Sequence, residues 1–140
     1  MLLAMLLDLA ASLPAKGETT APPPGEYITE RGWGTLQLSS HAGGNSTFTI
    51  VAIGSNMHSC ELEGEVRNGR ASLEAGEGKP CIVDLVTRPD GVAVTGNDAC
   101  RYFCGARAAF EGLYLKVAEG CGARAQAETR KKFHRLYDKK

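Results

Sequence analysis

Five cysteines constrain this chain more than any other feature: Cys60, Cys81, Cys100, Cys104 and Cys121. They sit in a chain whose middle alternates between apolar and polar residues, as half-buried β-strands do. With one Trp, four Phe and four Tyr in 140 residues, the chain has few large side chains for a core, and disulfides would offset that weakness. The cysteines therefore predict a small disulfide-bonded β domain in an oxidising compartment.

Two segments precede this domain. Residues 1–15 contain an apolar run that is typical of a signal peptide and too short to span a bilayer, which takes about 20 residues. The alternative is a short disordered or helical N-terminus. Residues 16–26 are polar and include three consecutive prolines, a composition typical of a linker. The predicted localisation is therefore periplasmic or secreted, without a membrane span.

The alternation over residues 27–118 predicts the β domain itself. In one segment, Cys60, Leu62 and Val66 fall on one face and glutamates on the other. The predicted fold class is mainly β: a small antiparallel meander barrel or sandwich of about seven or eight strands with a C-terminal helix.

Two short segments predict tight turns between strands. Asn68-Gly69 is the strongest hairpin signal, because a type I′ turn needs positive φ at both residues. Residues 88–91, Arg-Pro-Asp-Gly, predict a second turn in which Gly91 takes the left-handed position.

Residues 119–140 lose the alternation and are rich in Ala, Arg, Lys and Glu. Phe133, Leu136 and Tyr137 recur at the spacing of one helical face, so this segment is predicted to be helical. The rest of that helix is either a solvated face or a basic surface that binds a partner.

The residues alone favour the disulfides Cys60–Cys81 and Cys100–Cys104, with Cys121 as an unpaired thiol. The first bridge would close a loop of about 20 residues and stabilise the fold by about 3 kcal/mol. A pairing of Cys104 with Cys121, which leaves Cys100 free, is an open alternative.

Several classes of function are not predicted. The net charge is zero, so the chain as a whole has no electrostatic attraction to nucleic acid. No second ligand pair accompanies Cys100 and Cys104, so neither a metal site nor a cofactor is expected. G-x-S-x-G and phosphate-loop motifs are missing from the sequence. A Cys104 nucleophile with His58 as its base is unfavourable in an exported, disulfide-bonded chain, so the chain is predicted to be non-enzymatic.

Candidate residues for binding a partner lie in loops and on one strand face: Trp33, Asn56, His58, Glu61, Glu63, Glu65, Arg101 and Arg107. Glycines flank Trp33 and would let a partner approach its ring. The three glutamates would present an acidic face. The alternative interpretations are structural: a Trp that caps the core, a polar loop that only connects strands, a solvated glutamate face, and arginines in structural ion pairs.

Six segments carry a resemblance to a known family: residues 26–27, 30–36, 58–64, 68–71, 99–108 and 110–114. Over about residues 25 to 140 the chain resembles the periplasmic lysozyme-inhibitor-like proteins of proteobacteria, of the LprI type. The cysteine-rich segment and the Trp33 turn are the most specific parts. The tail from Cys121 to Tyr137 is similar to the start of the helical segment that carries that label.

The resemblance implies an exported, non-enzymatic binding protein that inhibits a lysozyme-like cell-wall-lytic enzyme. The sequence contains no Ser-Gly-x-x-Tyr motif, so no inhibitory residue is carried over. A further cysteine usually follows in such proteins, which implies that the partner of Cys121 lies beyond Lys140. The alternative function is a periplasmic structural or envelope-stress module that binds a small ligand or a protein partner.

Overall fold

Eight antiparallel strands form a single sheet that curls into a nearly closed barrel. The computed structural model describes residues 21–76 and 78–117. The strands are β1 Gly25–Thr29, β2 Gly34–Ser40, β3 Ser46–Ile53, β4 Ser59–Val66, β5 Arg70–Leu73, β6 Cys81–Thr87, β7 Gly91–Gly96 and β8 Gly112–Lys116. Their order in the sheet is β4-β3-β2-β1-β8-β7-β6-β5. The predicted mainly β meander is confirmed, and the first strand begins at Gly25 rather than at Tyr27.

Pairing between the first and last strands brings the barrel together. β1 lies antiparallel to β8, with Ile28 opposite Leu115. The seam lies between β4 and β5, where Arg67 and Arg70 form an isolated bridge. Leu73 on β5 packs against the backbone of Gly64 on β4. Side-chain contact therefore continues across the seam where the ladder of hydrogen bonds stops.

The predicted alternation places the core correctly. Each strand turns every second residue inward, and the interior is filled with large side chains, so it is packed in the manner of a small barrel. The largest of the fully buried side chains are Tyr114, Phe48, Phe110, Leu36, Ile50, Leu62 and Leu85. The one buried polar side chain among the described residues is Thr29, whose hydroxyl oxygen accepts a hydrogen bond from the backbone N–H of Gly34 at 2.9 Å.

The two predicted turns have different outcomes. Asn68 and Gly69 both have positive φ, 51° and 73°, as predicted for this hairpin. The left-handed conformation predicted for Gly91 is wrong, since Gly91 is not among the residues of positive φ. Glycine is needed there for another reason: a Cβ would collide with the carbonyl oxygen of Tyr114 on the neighbouring strand.

The cysteines pair differently from the prediction. Cys60 bonds to Cys104, and Cys81 bonds to Cys100. The four predicted cysteines are therefore confirmed as a set, but the predicted pairs Cys60–Cys81 and Cys100–Cys104 are wrong, as is the alternative of Cys104 with Cys121.

A short helix explains this pairing. Residues Asp98–Phe103 form a 3₁₀-helix, η1, in the connection between β7 and β8, where no helix was predicted. The helix packs against both β6 and β4. Cys81 and Cys60 face inward at the starts of these two strands, so each receives one cysteine from the η1 region. Cys100 and Cys104 thus serve different strands instead of pairing locally.

Several predictions fall on parts of the chain outside the described residues: the leader, most of the linker, the helical segment 119–140 and the unpaired Cys121. Within residues 21–76 and 78–117, no helix is long and apolar enough to span a membrane.

Tyr114 is a fully buried tyrosine of the core and gives the fold a dependence on pH. Its hydroxyl donates a hydrogen bond to the carbonyl oxygen of Phe110 at 2.6 Å. Burial, with a smaller contribution from the charge of Glu111, raises the pKa of Tyr114. The folded state therefore keeps the phenol proton at a pH at which the unfolded chain releases it. Stability is fully present below pH about 10 and falls as the pH rises further.

The Tyr114→Phe variant has no phenol proton at this position. Above pH 10 its free energy of unfolding should therefore fall less steeply, by about 1.4 kcal/mol per pH unit. At neutral pH the variant should lose about 1–3 kcal/mol, because the carbonyl of Phe110 loses its buried donor. Urea unfolding between pH 7 and 11 measures both effects. Tyr102→Phe is the matched control, since Tyr102 is 67% exposed. An unchanged slope in Tyr114→Phe would contradict the assignment.

Candidate functional site

One end of the barrel carries an open groove with a volume of about 490 Å³. Three connections meet there: the turn between β1 and β2, the loop between β3 and β4, and the segment that leads from η1 to β8. The residues that line it are Arg31, Trp33, Ile53, Gly54, Ser55, Arg107, Ala109 and Glu111. The volume falls in the range of small-molecule sites, about 300–1,000 Å³. We call this feature the barrel-end groove.

The loop between β3 and β4 is fastened to the segment after η1. The side-chain amide of Asn56 donates to the carbonyl oxygen of Ala106 at 2.6 Å. The backbone N–H of Gly105 donates to the carbonyl oxygen of Ser59 at 2.8 Å. The His58 side chain packs so closely against Gly105 that a Cβ at this position would lie 2.7 Å from the imidazole. The Cys60–Cys104 disulfide closes the same junction.

Trp33 joins the groove to the core. Its ring meets that of Tyr114 edge to face, with centroids 6.2 Å apart, and it also packs near Gly112. The side chain is only partly buried, and its remaining surface lines the groove. Trp33 therefore combines the two interpretations made from the sequence, a cap on the barrel and an accessible aromatic surface.

Two arginines and one glutamate supply the charges of the groove. Arg31 and Arg107 are exposed, and within the described part of the chain neither guanidinium forms an ion pair. Arg107 has a φ of 63°, a left-handed conformation that is uncommon for a residue with a side chain. One carboxylate oxygen of Glu111 accepts a hydrogen bond from the backbone N–H of Phe110 at 3.2 Å.

A row of carboxylates begins beside the groove and follows the outer face of β4. Glu61, Glu63 and Glu65 are exposed and lie opposite Val51, Thr49 and Thr47 of β3. Glu65 forms an exposed ion pair with Arg67 at 3.4 Å, whereas Glu61 and Glu63 have none among the described residues. Alternate residues of a strand are about 7 Å apart, so the row is about 14 Å long. We call it the acidic ladder.

The structure brings together part of the predicted binding set. Trp33 and Arg107 line the groove, and Asn56 and His58 hold its rim in place. The glutamates form the adjoining ladder. Arg101 lies apart from the groove, exposed on η1. The structural ion pairs considered for Arg101 and Arg107 are not formed with any described residue.

Sequence reasoning missed several residues of this surface. Arg31, Ile53 and Glu111 line the groove, and Met57 stands at the tip of the β3–β4 loop with 54% of its surface exposed. Met57 has a positive φ of 69°, and no sequence pattern indicates this conformation. Arg31 could have been identified from the sequence as a binding candidate, because it lies two residues before Trp33 in a glycine-flanked turn.

Cys104 and His58 do not form a thiol site. Cys104 is bonded to Cys60, so it has no thiolate to act as a nucleophile or a metal ligand. Among the residues that the structure describes, no group of three or more His, Cys, Asp or Glu side chains could hold a metal ion.

No family model matches the chain, and no curated protein or solved structure matches it significantly.

Replacing Asn56 by Ala should loosen the rim of the groove, because it removes the side-chain donor to the carbonyl of Ala106. The expected loss of stability is about 1 kcal/mol. Hydrogen exchange should accelerate at the backbone amides of Gly105 and Ala108, while the amides of β7 keep their protection. Ser55→Ala is the control from the same loop. Equal exchange in the two variants would show that Asn56 does not fasten the loop.

Proposed function

We propose that this chain is an exported, non-catalytic binding protein, and that its partner is a cationic lysozyme-like hydrolase of the cell wall. The observation that carries the proposal is the acidic ladder, in which two of the three exposed carboxylates have no ion pair among the described residues. Charges that are free of internal partners can steer an oppositely charged protein and fix its orientation.

An apolar anchor next to the ladder supports the same role. Met57 is exposed at the tip of the β3–β4 loop, and Trp33 is partly exposed in the groove beside it. Protein interfaces combine a few apolar or aromatic anchors with a charged, solvated rim. On this proposal Met57 and Trp33 are the anchors, and Glu61 and Glu63 belong to the rim.

Two disulfides support an oxidising location. Such bonds persist in periplasmic and secreted proteins and are rare where thiols are kept reduced. Export would place the chain in the compartment where cell-wall hydrolases act, and the resemblance to lysozyme-inhibitor-like proteins points to the same partner class.

Reversing two charges of the ladder tests the proposal. In the double variant Glu61→Lys/Glu63→Lys, the association rate with a c-type lysozyme should fall about tenfold or more at low ionic strength. The difference from the unmodified chain should shrink as salt is added, because salt screens exposed charges. Stopped-flow mixing measures the association rate, and a lysis assay measures inhibition.

Asp90→Lys is the control for a charge reversal outside the acidic ladder, since Asp90 lies in the β6–β7 turn at the opposite end of the barrel. The rate of this variant should stay within about twofold of that of the unmodified chain, because reversal at the rim acts locally. An absence of binding by calorimetry and of inhibition at micromolar protein, for lysozymes of several classes, would refute the proposal.

A further inference from the structure

The barrel-end groove carries charged groups that the proposed hydrolase binding does not use, since that binding takes only Trp33 from the groove. Its wall presents two guanidinium groups, of Arg31 and Arg107, that form no ion pair within the described residues. A guanidinium is a planar fork of N–H donors that matches a carboxylate in size and geometry. Trp33 offers an aromatic surface, and Ile53 and Ala109 supply apolar contact.

The backbone of Arg107 is held in place, and its side chain is exposed. Its left-handed backbone, with a φ of 63°, is a conformation that persists only where the surroundings impose it. On one side the carbonyl of Ala106 accepts the amide hydrogen bond of Asn56, and on the other the N–H of Ala108 donates to Gly105 at 3.1 Å. With its backbone fixed at both sides, only the side chain of Arg107 has to be ordered when a ligand binds.

The size and surroundings of the groove favour a small molecule over an acidic protein segment. A volume of about 490 Å³ suits a ligand built on one or two rings. The acidic ladder starts next to the groove, because Ile53 on the groove wall pairs with Ser59, and Val51 pairs with Glu61. An acidic polypeptide long enough to extend past the groove would meet these carboxylates and be repelled.

Glu111 limits the charge of the ligand. It lines the same groove as the two arginines, and one of its carboxylate oxygens already accepts a hydrogen bond from the N–H of Phe110. The side-chain charges of the groove are thus two positive and one negative, which suits a single carboxylate better than a polyanion.

We propose that the barrel-end groove binds a small organic acid, with its ring against Trp33 and its one carboxylate held by Arg31 and Arg107. Sugar acids and aromatic acids share this chemistry, because both carry a carboxylate on a ring with an apolar face. The inference goes beyond the hydrolase-binding role and does not depend on it.

Nuclear magnetic resonance of the full chain tests the proposal directly. The chain has one tryptophan, so a single indole N–H resonance reports on the groove. The probes are two matched pairs, glucuronate with glucose and benzoate with benzamide. At least one acid should shift the indole resonance with a dissociation constant of about 1 mM or tighter, and its neutral analogue should bind about tenfold more weakly. The acid that binds more tightly indicates whether the natural ligand is a sugar acid or an aromatic acid.

Substitutions in the groove provide a second test of small-acid binding. Arg107→Gly removes the guanidinium and tolerates positive φ, so the fold should be retained. Arg31→Gln changes an exposed side chain. Each should weaken the binding of the acid about tenfold. Arg101→Gln, on η1 and outside the groove, is the control for net charge and should leave the binding unchanged.

Three results would overturn the proposal: no shift of the indole resonance with either acid, equal binding of an acid and its neutral analogue, or an equal loss of binding in Arg101→Gln and Arg107→Gly. None of these measurements involves a hydrolase. A failure of the small-acid proposal would therefore be distinguishable from a failure of the hydrolase proposal.

Discussion

The pair of disulfides at the end of the barrel is the constraint on which the rest of the structure depends. Cys60–Cys104 and Cys81–Cys100 tie the η1 region to the starts of β4 and β6. They join residues 44 and 19 positions apart in the sequence, which corresponds in the chain-entropy model to about 4 and 3 kcal/mol. For a small domain with a total stability of about 5–15 kcal/mol, these bonds are a large share of what keeps it folded.

The barrel-end groove follows from this attachment. Once Cys104 is fixed beside β4, the segment that follows must pass over the β3–β4 loop, where Asn56 and His58 hold it. That path brings Arg107 and Glu111 to the groove that Arg31 and Trp33 also line. A seam between β4 and β5 with one isolated bridge would close the barrel weakly on its own, and the two disulfides join strands on both sides of it.

The parts of the fold that could be predicted are those set by local patterns. Alternation places residues such as Leu36, Ile50 and Leu62 in the core, and the need for positive φ places Asn68-Gly69 in its turn. The disulfide pairs could not be predicted in this way. Proximity in sequence favoured pairing within the Cys100–Cys104 loop, whereas pairing in the fold depends on how a barrel brings β4, β6 and η1 together.

The barrel-end groove could be predicted only in part, because sequence patterns indicate local features and not long-range contacts. Trp33, Asn56, His58 and Arg107 could be named as loop residues with binding chemistry. Their convergence, and the contribution of Glu111, depend on long-range contacts such as the hydrogen bond between Asn56 and Ala106, 50 residues apart. No periodic pattern marks side chains that meet only at the end of a barrel.

Non-reducing tryptic mapping distinguishes the pairs Cys60–Cys104 and Cys81–Cys100 from every other pairing of these four cysteines. Trypsin cleaves after Arg101 but not before Pro80 or Pro89. Cys60 therefore falls in peptide 32–67 and Cys104 in peptide 102–107. Cys81 and Cys100 fall together in peptide 71–101. With these two disulfides, peptide 32–67 should be joined to 102–107 alone, and peptide 71–101 should carry an internal bridge. A single species that contains all three peptides would contradict it, because either other pairing of the four cysteines joins them all.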